Sequence, residues 1–378
     1  MIVAKVIFWI SALGLFYIYL GYPLLVWLLA RLFPKPVRKG ETHDPFSVVI
    51  VAYNEAEKLP AKIDSILRCR DEGLLREIVI ASDGSTDGTA ERVRKFKDPR
   101  IRVEEWSERR GKPAVLNDVL PSCETDLVVL TDARQELHPD ALLELASNFA
   151  DERVGVVSGE LIFVDEAGTP AASGMGAYWR YEKMIRRSEG RFSSVPGATG
   201  ALYAMRTQLF SPIPATTLID DVVIPMQAIA RGRRCVFDDR ATVYDQPSQT
   251  ESQEAVRKRR TIGGVAQLLR LYPQWLLPWR NPIWFQYVSH KVGRLASPIL
   301  LLIAGVCSVG LSRHPIYFSL AVLQAVFYLS AGVGWVCQKR GCSAGLLGMP
   351  LVFVSLNLAT LLALKDALTG DYNVTWSR

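Results

Sequence analysis

The sequence predicts an α/β domain with a mostly parallel central sheet, joined to about four transmembrane helices and to amphipathic helices at the membrane interface. Short apolar runs alternate with helical stretches through the middle of the chain, which is the pattern of α/β domains. Long uncharged stretches lie near both ends. The composition agrees, because 49% of the residues are hydrophobic and the mean hydropathy is +0.14, values that are high for one soluble domain.

The predicted sheet contains strands at residues 46–53, 76–82, 101–105, 126–131 and 154–160. Three of these strands contain the continuous apolar runs SVVIVAY, EIVIAS and LVVLTD. Such runs are typical of strands that are buried on both faces of a parallel sheet. Helical patterns fall between the strands, at residues 59–70, 89–97, 113–120 and 139–150.

The uncharged stretches that are long enough to cross a membrane are residues 6–30, 295–312, 315–338 and 341–364. A helix needs about 20 residues to cross about 30 Å of hydrocarbon. The first stretch is too long for the core of a signal peptide, and a basic run follows it in place of a small-residue cleavage site. We therefore expect a retained N-terminal anchor.

Basic side chains gather beside the uncharged stretches, mainly at residues 31–39 and 257–260. The positive-inside rule places both clusters, and the domain between them, in the cytoplasm of a multi-pass protein of the cell membrane. The net charge of +6 suits anionic lipid headgroups and phosphate-bearing ligands. Nucleic acid is not expected as a partner.

The sequence divides into four predicted regions, and the third of these is the interface segment. Residues 1–39 form the anchor and its basic flank, 40–250 the cytoplasmic α/β domain, 251–293 the amphipathic interface helices, and 294–378 the C-terminal membrane region. The third region mixes basic and apolar blocks with several tryptophans. This composition is typical of helices that lie on a bilayer surface.

Polar residues follow three of the predicted strands directly. Ligands of open α/β sheets bind at the carboxyl ends of the strands. The segments there read AYNE from residue 52, SDGSTDGT from residue 82 and TDAR from residue 131. Within the second segment, DGSTDG places two carboxylates and two hydroxyls on a turn that glycine permits. We expect Asp83 to contact a ligand, and we interpret Asp87 as the cap of the next helix.

Five segments resemble, in their order and spacing, the motifs of the family 2 glycosyltransferases, particularly the membrane-integrated synthases of polysaccharides and glycolipids. They read SVVIVAYNE, EIVIASDGSTDGT, GKPAVLN, LVVLTDARQELHPDAL and LIDDVVIP. The resemblance covers about residues 46 to 290. It implies the GT-A fold and an inverting transfer of sugar from a nucleotide-diphosphate donor to a saccharide or lipid-linked acceptor.

The resemblance also implies which residues hold the nucleobase of the donor. Ala52, Tyr53 and Glu55 match the segment that cradles the base, and Asp83 matches the aspartate that reads it.

The chain departs from the family's pattern where the diphosphate of the donor would lie. Lys112 matches a basic residue near the donor, although a solvated loop lysine is the alternative. Asp132 matches the first aspartate of the family's Asp-x-Asp, but Arg134 stands where the family usually offers the carboxylate that ligates Mg2+ or Mn2+. A guanidinium supplies no oxygen ligand. Three interpretations stay open: Asp132 holds a metal directly or through water, Arg134 itself neutralises the diphosphate, or Arg134 is a surface residue.

On the acceptor side, Asp220 and Asp221 match the family's acidic pair, in which the second carboxylate is the general base. A positioned carboxylate can remove the proton of an attacking hydroxyl as the new bond forms. The alternative is that one of the pair caps the following helix. The glycine-rich loop that contains Gly197, Thr199 and Gly200 is interpreted as a wall of the acceptor site, with a plain turn as the alternative.

The basic run at 257–260 falls where many processive members carry Gln-x-x-Arg-Trp. Arg260 keeps the arginine, whereas Arg257 replaces glutamine and Thr261 replaces the tryptophan that stacks on the acceptor sugar. The missing tryptophan argues against a standard cellulose, chitin or hyaluronan synthase. Arg257 and Arg260 are expected to stabilise the departing nucleotide diphosphate, or else to form a membrane-surface cluster.

Two functions of different classes follow from these residues. The first is a glycosyltransferase of exopolysaccharide or glycolipid synthesis. The second is a catalytically idle nucleotide-binding membrane partner of another synthase, which Arg134 and Thr261 favour. The retained Asp83, Asp132 and Asp221 favour the enzyme.

Overall fold

The computed structural model describes residues 1–164, 175–246, 251–340, 342 and 345–369, and at 175–177 and 251–255 it describes the backbone alone. The start of the predicted stretch 341–364, the predicted boundary at residue 250 and the chain beyond 369 lie outside the described residues. The central sheet consists of β1 (Phe46–Ala52), β2 (Leu75–Asp83), β3 (Ile101–Trp106), β4 (Leu127–Thr131), β5 (Glu136–Leu137), β6 (Val154–Phe163), β7 (Leu202–Arg206) and β8 (Arg234–Asp245).

The sheet is mixed and mostly parallel, as predicted. Its strand order is β3-β2-β1-β4-β7-β6-β8-β5. The first four strands of this order run parallel to one another, and β6 runs parallel to β8. β7 is antiparallel to both β4 and β6, and β5 is antiparallel to β8. The carboxyl ends of β2, β1 and β4 therefore lie side by side at one edge of the sheet.

The five predicted strands are present as β1 to β4 and β6, whereas β5, β7 and β8 did not emerge from the sequence patterns. β5 has two residues, which is too short for a periodic signal, and β7 is a short, mostly apolar run that periodicity alone does not assign to a strand. β8 carries Asp238, Asp239 and Arg240 in its middle. These charges break the apolar run that marks a buried strand.

The helices of the described residues are α1 (Ile2–Leu32), α2 (Leu59–Leu67), α3 (Thr89–Arg94), α4 (Lys112–Val119), α5 (Ala141–Ser147), α6 (Met175–Phe192), α7 (Asp220–Ala230), α8 (Glu251–Leu271), α9 (Trp284–Gly310), α10 (Pro315–Lys339) and α11 (Gly345–Thr369). Buried apolar side chains cover both faces of the sheet, and α2 and α5 pack on one face while α4, α7 and α8 pack on the other.

Four helices, α1, α9, α10 and α11, are long and apolar enough to cross a membrane. α1 and α10 contain the predicted stretches 6–30 and 315–338, α9 ends two residues before the end of the stretch 295–312, and α11 begins within the stretch 341–364. Large apolar side chains on these helices are exposed, for example Leu13, Val306 and Leu329, as expected for surfaces that face lipid. α9 begins at Trp284, well before the uncharged stretch itself.

The α/β domain contacts these helices through polar side chains of α6. Glu189, which is 0% exposed, accepts hydrogen bonds from Tyr22 of α1 and from His290 of α9, the latter at 2.9 Å between Oε1 and Nδ1. Glu182 forms an ion pair with Arg294 of α9, at 2.5 Å between Oε1 and Nη1. Buried polar and charged groups of three chain segments therefore join the domain to the apolar helices.

Candidate active site

The predicted donor-side residues lie at one edge of the sheet, because β2, β1 and β4 are parallel neighbours. Ala52 ends β1, Asp83 ends β2, and Asp132 directly follows β4. The fold thus brings together three segments that are about 30 to 80 residues apart in the sequence, as expected for the carboxyl edge of an open sheet.

The segment after β1 forms an aromatic and polar surface. The guanidinium of Arg109 covers the ring of Tyr53, with Cζ 3.7 Å from the ring centroid, a cation–π contact. The backbone N–H of Glu55 donates to Thr89 Oγ1 at 3.0 Å. The carboxylate of Glu55 forms an ion pair with Lys58, with Oε2 3.4 Å from Nζ.

Asp87 lies at the start of α3. Its Oδ1 accepts from the backbone N–H of Thr89 at 3.1 Å, and its Oδ2 accepts from the backbone N–H of Ala56 at 3.1 Å. The N-cap residue of α3 is Gly88, so Asp87 lies one position before the cap that its sequence suggested. Its side chain binds the first N–H of α3 and also ties α3 to the segment after β1.

Asp83 holds the loop that leads to Lys112. It is 3% exposed, and its two carboxylate oxygens accept from the backbone N–H groups of Arg110, at 2.7 Å, and Gly111, at 2.8 Å. Gly84 lets this loop approach, because its φ is +66° and a Cβ there would lie 2.5 Å from the backbone nitrogen of Arg109. Asp83 and Gly84 together fix the position from which Lys112 extends.

Lys112 connects the donor side to the acidic pair. Its Nζ lies 3.0 Å from Oδ1 of Asp132 and 3.5 Å from Oδ2 of Asp220. The side chain is buried. Burial alone would lower the pKa of Lys112, but the two carboxylates outweigh burial and raise the pKa above its ordinary value. Lys112 therefore stays charged at neutral pH.

Asp221 lies in the first turn of α7, partly buried, with Oδ2 accepting from the backbone N–H of Gly200 at 3.1 Å. Burial, and next the negative charge of Asp220, raise the pKa of Asp221 to about 6, although Lys112 opposes them. A carboxylate with a raised pKa is a stronger base and remains ionised at neutral pH.

The glycine-rich loop packs directly on Asp221. A Cβ at Gly200 would lie 3.1 Å from Oδ2 of Asp221, and at Gly197, where φ is +127°, a Cβ would lie 2.9 Å from Cγ2 of Val222. Thr199 Oγ1 accepts from Nη1 of Arg186 at 2.6 Å. Arg186, on α6, did not emerge from the sequence, because nothing in its local pattern distinguishes it from a surface arginine.

Arg134 forms an ion pair with Asp245, a carboxylate that was not predicted from the sequence. Its Nη2 lies 3.0 Å from Oδ2 of Asp245, at the end of β8, and Gln135 donates from Nε2 to the same oxygen at 3.0 Å. Burial acts to raise the pKa of Asp132, but the nearby cations, chiefly Lys112 and then Arg134 and Arg257, hold it below its ordinary value. Both Asp132 and Asp245 are thus paired with cations.

The arginines of the basic run on α8 contact different parts of the protein. Arg259 forms a two-pronged ion pair with Asp366 of α11, at 2.5 Å for both hydrogen bonds. Arg260 donates from Nη2 to the carbonyl oxygen of Leu218 at 3.1 Å, two residues before Asp220. Arg257 lies close enough for its charge to act on Asp132. The two arginines predicted to take part in catalysis therefore face the domain, while Arg259 faces an apolar helix.

Lys62 is a buried lysine beneath the donor side. It is 1% exposed, and its Nζ donates to Thr131 Oγ1 at 2.7 Å and to the carbonyl oxygen of Gln135 at 2.9 Å. It lies on the apolar face of α2, between Leu59 and Ile66. A lysine inside an apolar helical repeat is a signal that the sequence does contain.

Burial lowers the pKa of Lys62 from 10.5 to about 7. Between these two pH values the unfolded chain binds a proton at this residue that the folded chain does not, so stability rises with pH. We expect the free energy of unfolding to rise, relative to Lys62→Met, by about 1.4 kcal/mol for each pH unit, which is about 3–5 °C in Tm. Thermal unfolding of both proteins in detergent between pH 7 and about 10 measures this difference in Tm.

The matched control is Lys58→Met, which removes an exposed lysine beside the same helix. Its Tm difference from the wild type should stay nearly constant over this pH range. A constant difference for Lys62→Met as well would contradict the prediction.

The sequence and the fold are similar to those of known proteins. The family model "Glycosyl transferase family 2" matches residues 47–213. The poly-beta-1,6-N-acetyl-D-glucosamine synthase of Staphylococcus aureus (strain COL) is 23% identical over 277 residues, which cover 72% of this chain and 67% of that protein. The uncharacterized glycosyltransferase YaiP of Escherichia coli (strain K12) is 27% identical over 278 residues, which cover 69% of this chain and 66% of that protein.

Among solved structures, the chain is similar to the mannosyltransferase PcManGT from Pyrobaculum calidifontis in complex with GDP-Man and Mn2+. The TM-score is 0.72 at 20% sequence identity, and the superposition covers 96% of this chain and 99% of that one. This likeness shows that the two chains share a fold, the GT-A fold with attached apolar helices.

Four of the five quoted motifs fall within the matched residues, and LIDDVVIP follows them. The relatives that this chain is similar to are named as glycosyltransferases or polysaccharide synthases. Residues 47–213 therefore form a family 2 glycosyl transferase domain, and the chain that contains it is a glycosyltransferase.

Proposed function

We propose that the enzyme transfers a sugar, with inversion, from a nucleotide-diphosphate donor to a saccharide or lipid-linked acceptor at the cytoplasmic face of a membrane. One observation carries this proposal: Lys112 contacts Asp132 at the donor edge and Asp220 beside the predicted base. A donor whose diphosphate is bound by Lys112 beside Asp132 would present its anomeric carbon toward the acidic pair Asp220 and Asp221. The products would be exopolysaccharide or glycolipid.

Asp221 acts as the general base in this proposal. It is partly buried, ionised at neutral pH and oriented by the N–H of Gly200. It takes the proton of the acceptor hydroxyl while that oxygen bonds to the anomeric carbon and the nucleotide diphosphate departs. A single displacement of this kind inverts the anomeric centre.

The donor's base would lie over the segment after β1, beside Tyr53 and Asp83. A carboxylate has about four lone-pair sites, and the backbone groups of Arg110 and Gly111 occupy two of those on Asp83. Sites therefore remain for a donor N–H of a nucleobase.

Arg257 and Arg260 would stabilise the departing diphosphate, where negative charge develops in the transition state. Support comes from the action of Arg257 on Asp132 and from the contact between Arg260 and the segment that leads into the acidic pair. The loop at Gly197, Thr199 and Gly200 would then form the acceptor side of the cavity around Asp221.

Mg2+ or Mn2+ was expected from the resemblance, and the similar mannosyltransferase was solved with Mn2+. The donor set of this chain does not fit such an ion. Arg134 supplies no oxygen ligand, Asp132 is paired with Lys112, and the described side chains contain no group of three His, Cys, Asp or Glu residues that could hold a metal. The side chains named above are therefore proposed to handle the charge of the donor.

The membrane side of the proposal rests on composition. Four helices are long and apolar enough to cross a bilayer, and the basic run beside the catalytic domain favours the cytoplasmic face. The relation to poly-beta-1,6-N-acetyl-D-glucosamine synthase supports a polymer as product, whereas a lipid acceptor remains the second candidate.

A donor screen tests the proposed function. Purified protein in nanodiscs is incubated with UDP- and GDP-sugars, with Mg2+, with Mn2+ or with chelator, and released nucleotide diphosphate is followed. We expect at least one donor to be turned over, with labelled sugar in a polymer or in a lipid-extractable product. If nucleotide binds but no donor is turned over under any condition, the protein is an idle nucleotide-binding partner and the proposal is wrong.

A further inference from the structure

We propose that this enzyme neutralises the diphosphate of its donor with two fixed side-chain cations, Lys112 and Arg134, in place of a divalent metal ion. The inference rests on the proposed function and specifies how the same site handles the charge of its substrate.

At the third position of Asp-x-Asp, a carboxylate with its bound divalent cation and an arginine have the same net charge. A carboxylate that holds a divalent cation carries a net charge of +1, and a guanidinium alone carries the same charge. Replacing the carboxylate of an Asp-x-Asp by Arg134 therefore supplies the charge that the metal would have supplied. A guanidinium also offers five N–H donors in a planar fork that suits phosphate oxygens.

Arg134 is held in place by its surroundings. Its ion pair is with Asp245, whose side chain is only 6% exposed, while that of Arg134 is 34% exposed. Asp245 is in turn fixed by the hydrogen bond from Gln135. One end of the guanidinium is thus anchored at the end of β8, and the pair with Asp245 engages Nη2 alone, so N–H donors remain for a ligand.

The loop that carries Asp132 and Arg134 is also held from below. The Nζ of Lys62 donates to Thr131 before the loop and to the carbonyl of Gln135 after it. These two hydrogen bonds bracket the loop. A rigid loop costs little reorganisation when it binds a charged ligand.

Lys112 supplies the second cation. Its Nζ is 3.0 Å from Oδ1 of Asp132, so the carboxylate that would be the first metal ligand already has a cation partner. The backbone around Lys112 is fixed by Asp83. Two fixed cations, one at the start of α4 and one in the loop after β4, therefore act on Asp132, where the diphosphate is expected.

The first test uses the wild-type enzyme in nanodiscs and needs no variant. The affinity for UDP and for GDP is measured by calorimetry in excess chelator and again with Mn2+. For the nucleotide that binds, we expect the two affinities to agree within about twofold, which corresponds to about 0.4 kcal/mol of binding free energy. Electron paramagnetic resonance should show no Mn2+ held by the protein–nucleotide complex beyond that held by the nucleotide alone.

The second test changes Arg134. In chelator, Arg134→Gln should weaken nucleotide binding by about 10- to 100-fold, the loss of a charge-assisted contact. Arg134→Asp should weaken it at least as much in chelator and recover part of the affinity with Mn2+, because the new carboxylate would stand beside Asp132 and Asp245. The matched control is Arg240→Gln, which removes an exposed arginine that also pairs with a carboxylate of β8, Asp238, as well as with Glu144 of α5, and should change neither value.

The outcomes separate this inference from the proposed function. If wild-type binding requires Mn2+ and sugar transfer occurs with it, the inference is overturned while the proposed function stands. If Arg134→Gln binds nucleotide in chelator as tightly as the wild type, the inference is also overturned. If no nucleotide binds and no donor is turned over in either condition, both fail.

Discussion

Asp221→Asn is expected to lower kcat by about 100- to 10,000-fold, the usual contribution of a general base, with a much smaller change in donor affinity. The amide keeps the shape of the side chain and can still accept the N–H of Gly200, but it cannot take a proton. Single-turnover assays of sugar transfer separate the chemical step from donor binding.

The same residue sets the pH dependence. The base must be ionised, and the pKa of Asp221 is raised to about 6, so kcat/KM should fall about tenfold for each pH unit below this value and be retained above it. Asp220→Asn removes a neighbouring negative charge that raises the pKa of Asp221. The acid limb of its pH profile should therefore move to lower pH, whatever happens to the maximal rate.

The matched control is Asp64→Asn, which makes the same change on an exposed position of α2 and should leave both the rate and the pH profile unchanged. Asp221→Asn that transfers sugar as fast as the wild type would show that another group removes the proton. An acid limb that stays in place in Asp220→Asn would show that Asp221 does not control it.

The strands that could be predicted from the sequence are those whose residues form a clear apolar pattern along the chain. β1, β2 and β4 are continuous apolar runs because both of their faces are buried, whereas β8 is interrupted by Asp238, Asp239 and Arg240. In the structure Asp238 is bound by Lys39 and Asn148, partners far away in the sequence. A buried charge whose partner is distant resembles a loop when only its neighbours in the sequence are considered.

The same reason explains what was found and missed at the site. Asp83, Asp132 and Asp221 were singled out because they follow strands or match family motifs, but the role of Lys112 as a link between two carboxylates depends on tertiary contacts. Asp245 was missed because β8 was missed. The sequence left three interpretations of Arg134 open. Its pairing with Asp245 fixes the guanidinium at the end of β8, which favours the interpretation that Arg134 neutralises the diphosphate.

The junction between the catalytic domain and the apolar helices depends on Glu189. Its fully buried carboxylate accepts from Tyr22 of α1 and His290 of α9, so its removal would leave polar groups of two helices without their partner. Breaking a buried charged contact by removing one partner costs about 3–5 kcal/mol. For a domain of this size, Glu189→Ala should lower Tm by about 10 °C.

Two variants make this prediction specific. Glu189→Gln keeps an oxygen that can accept from Tyr22 or His290, so its loss of Tm should be clearly smaller than that of Glu189→Ala. Arg180→Ala, at an exposed position of the same helix, should change the stability by no more than about 0.5 kcal/mol. Thermal unfolding in detergent, followed by the fluorescence of the tryptophans, gives all three values.

Because α6 also carries Arg186, which binds Thr199 beside Asp221, a loosened α6 should lower sugar transfer at temperatures below the transition. An unchanged Tm in Glu189→Ala would mean that apolar contacts alone hold the domain to its helices.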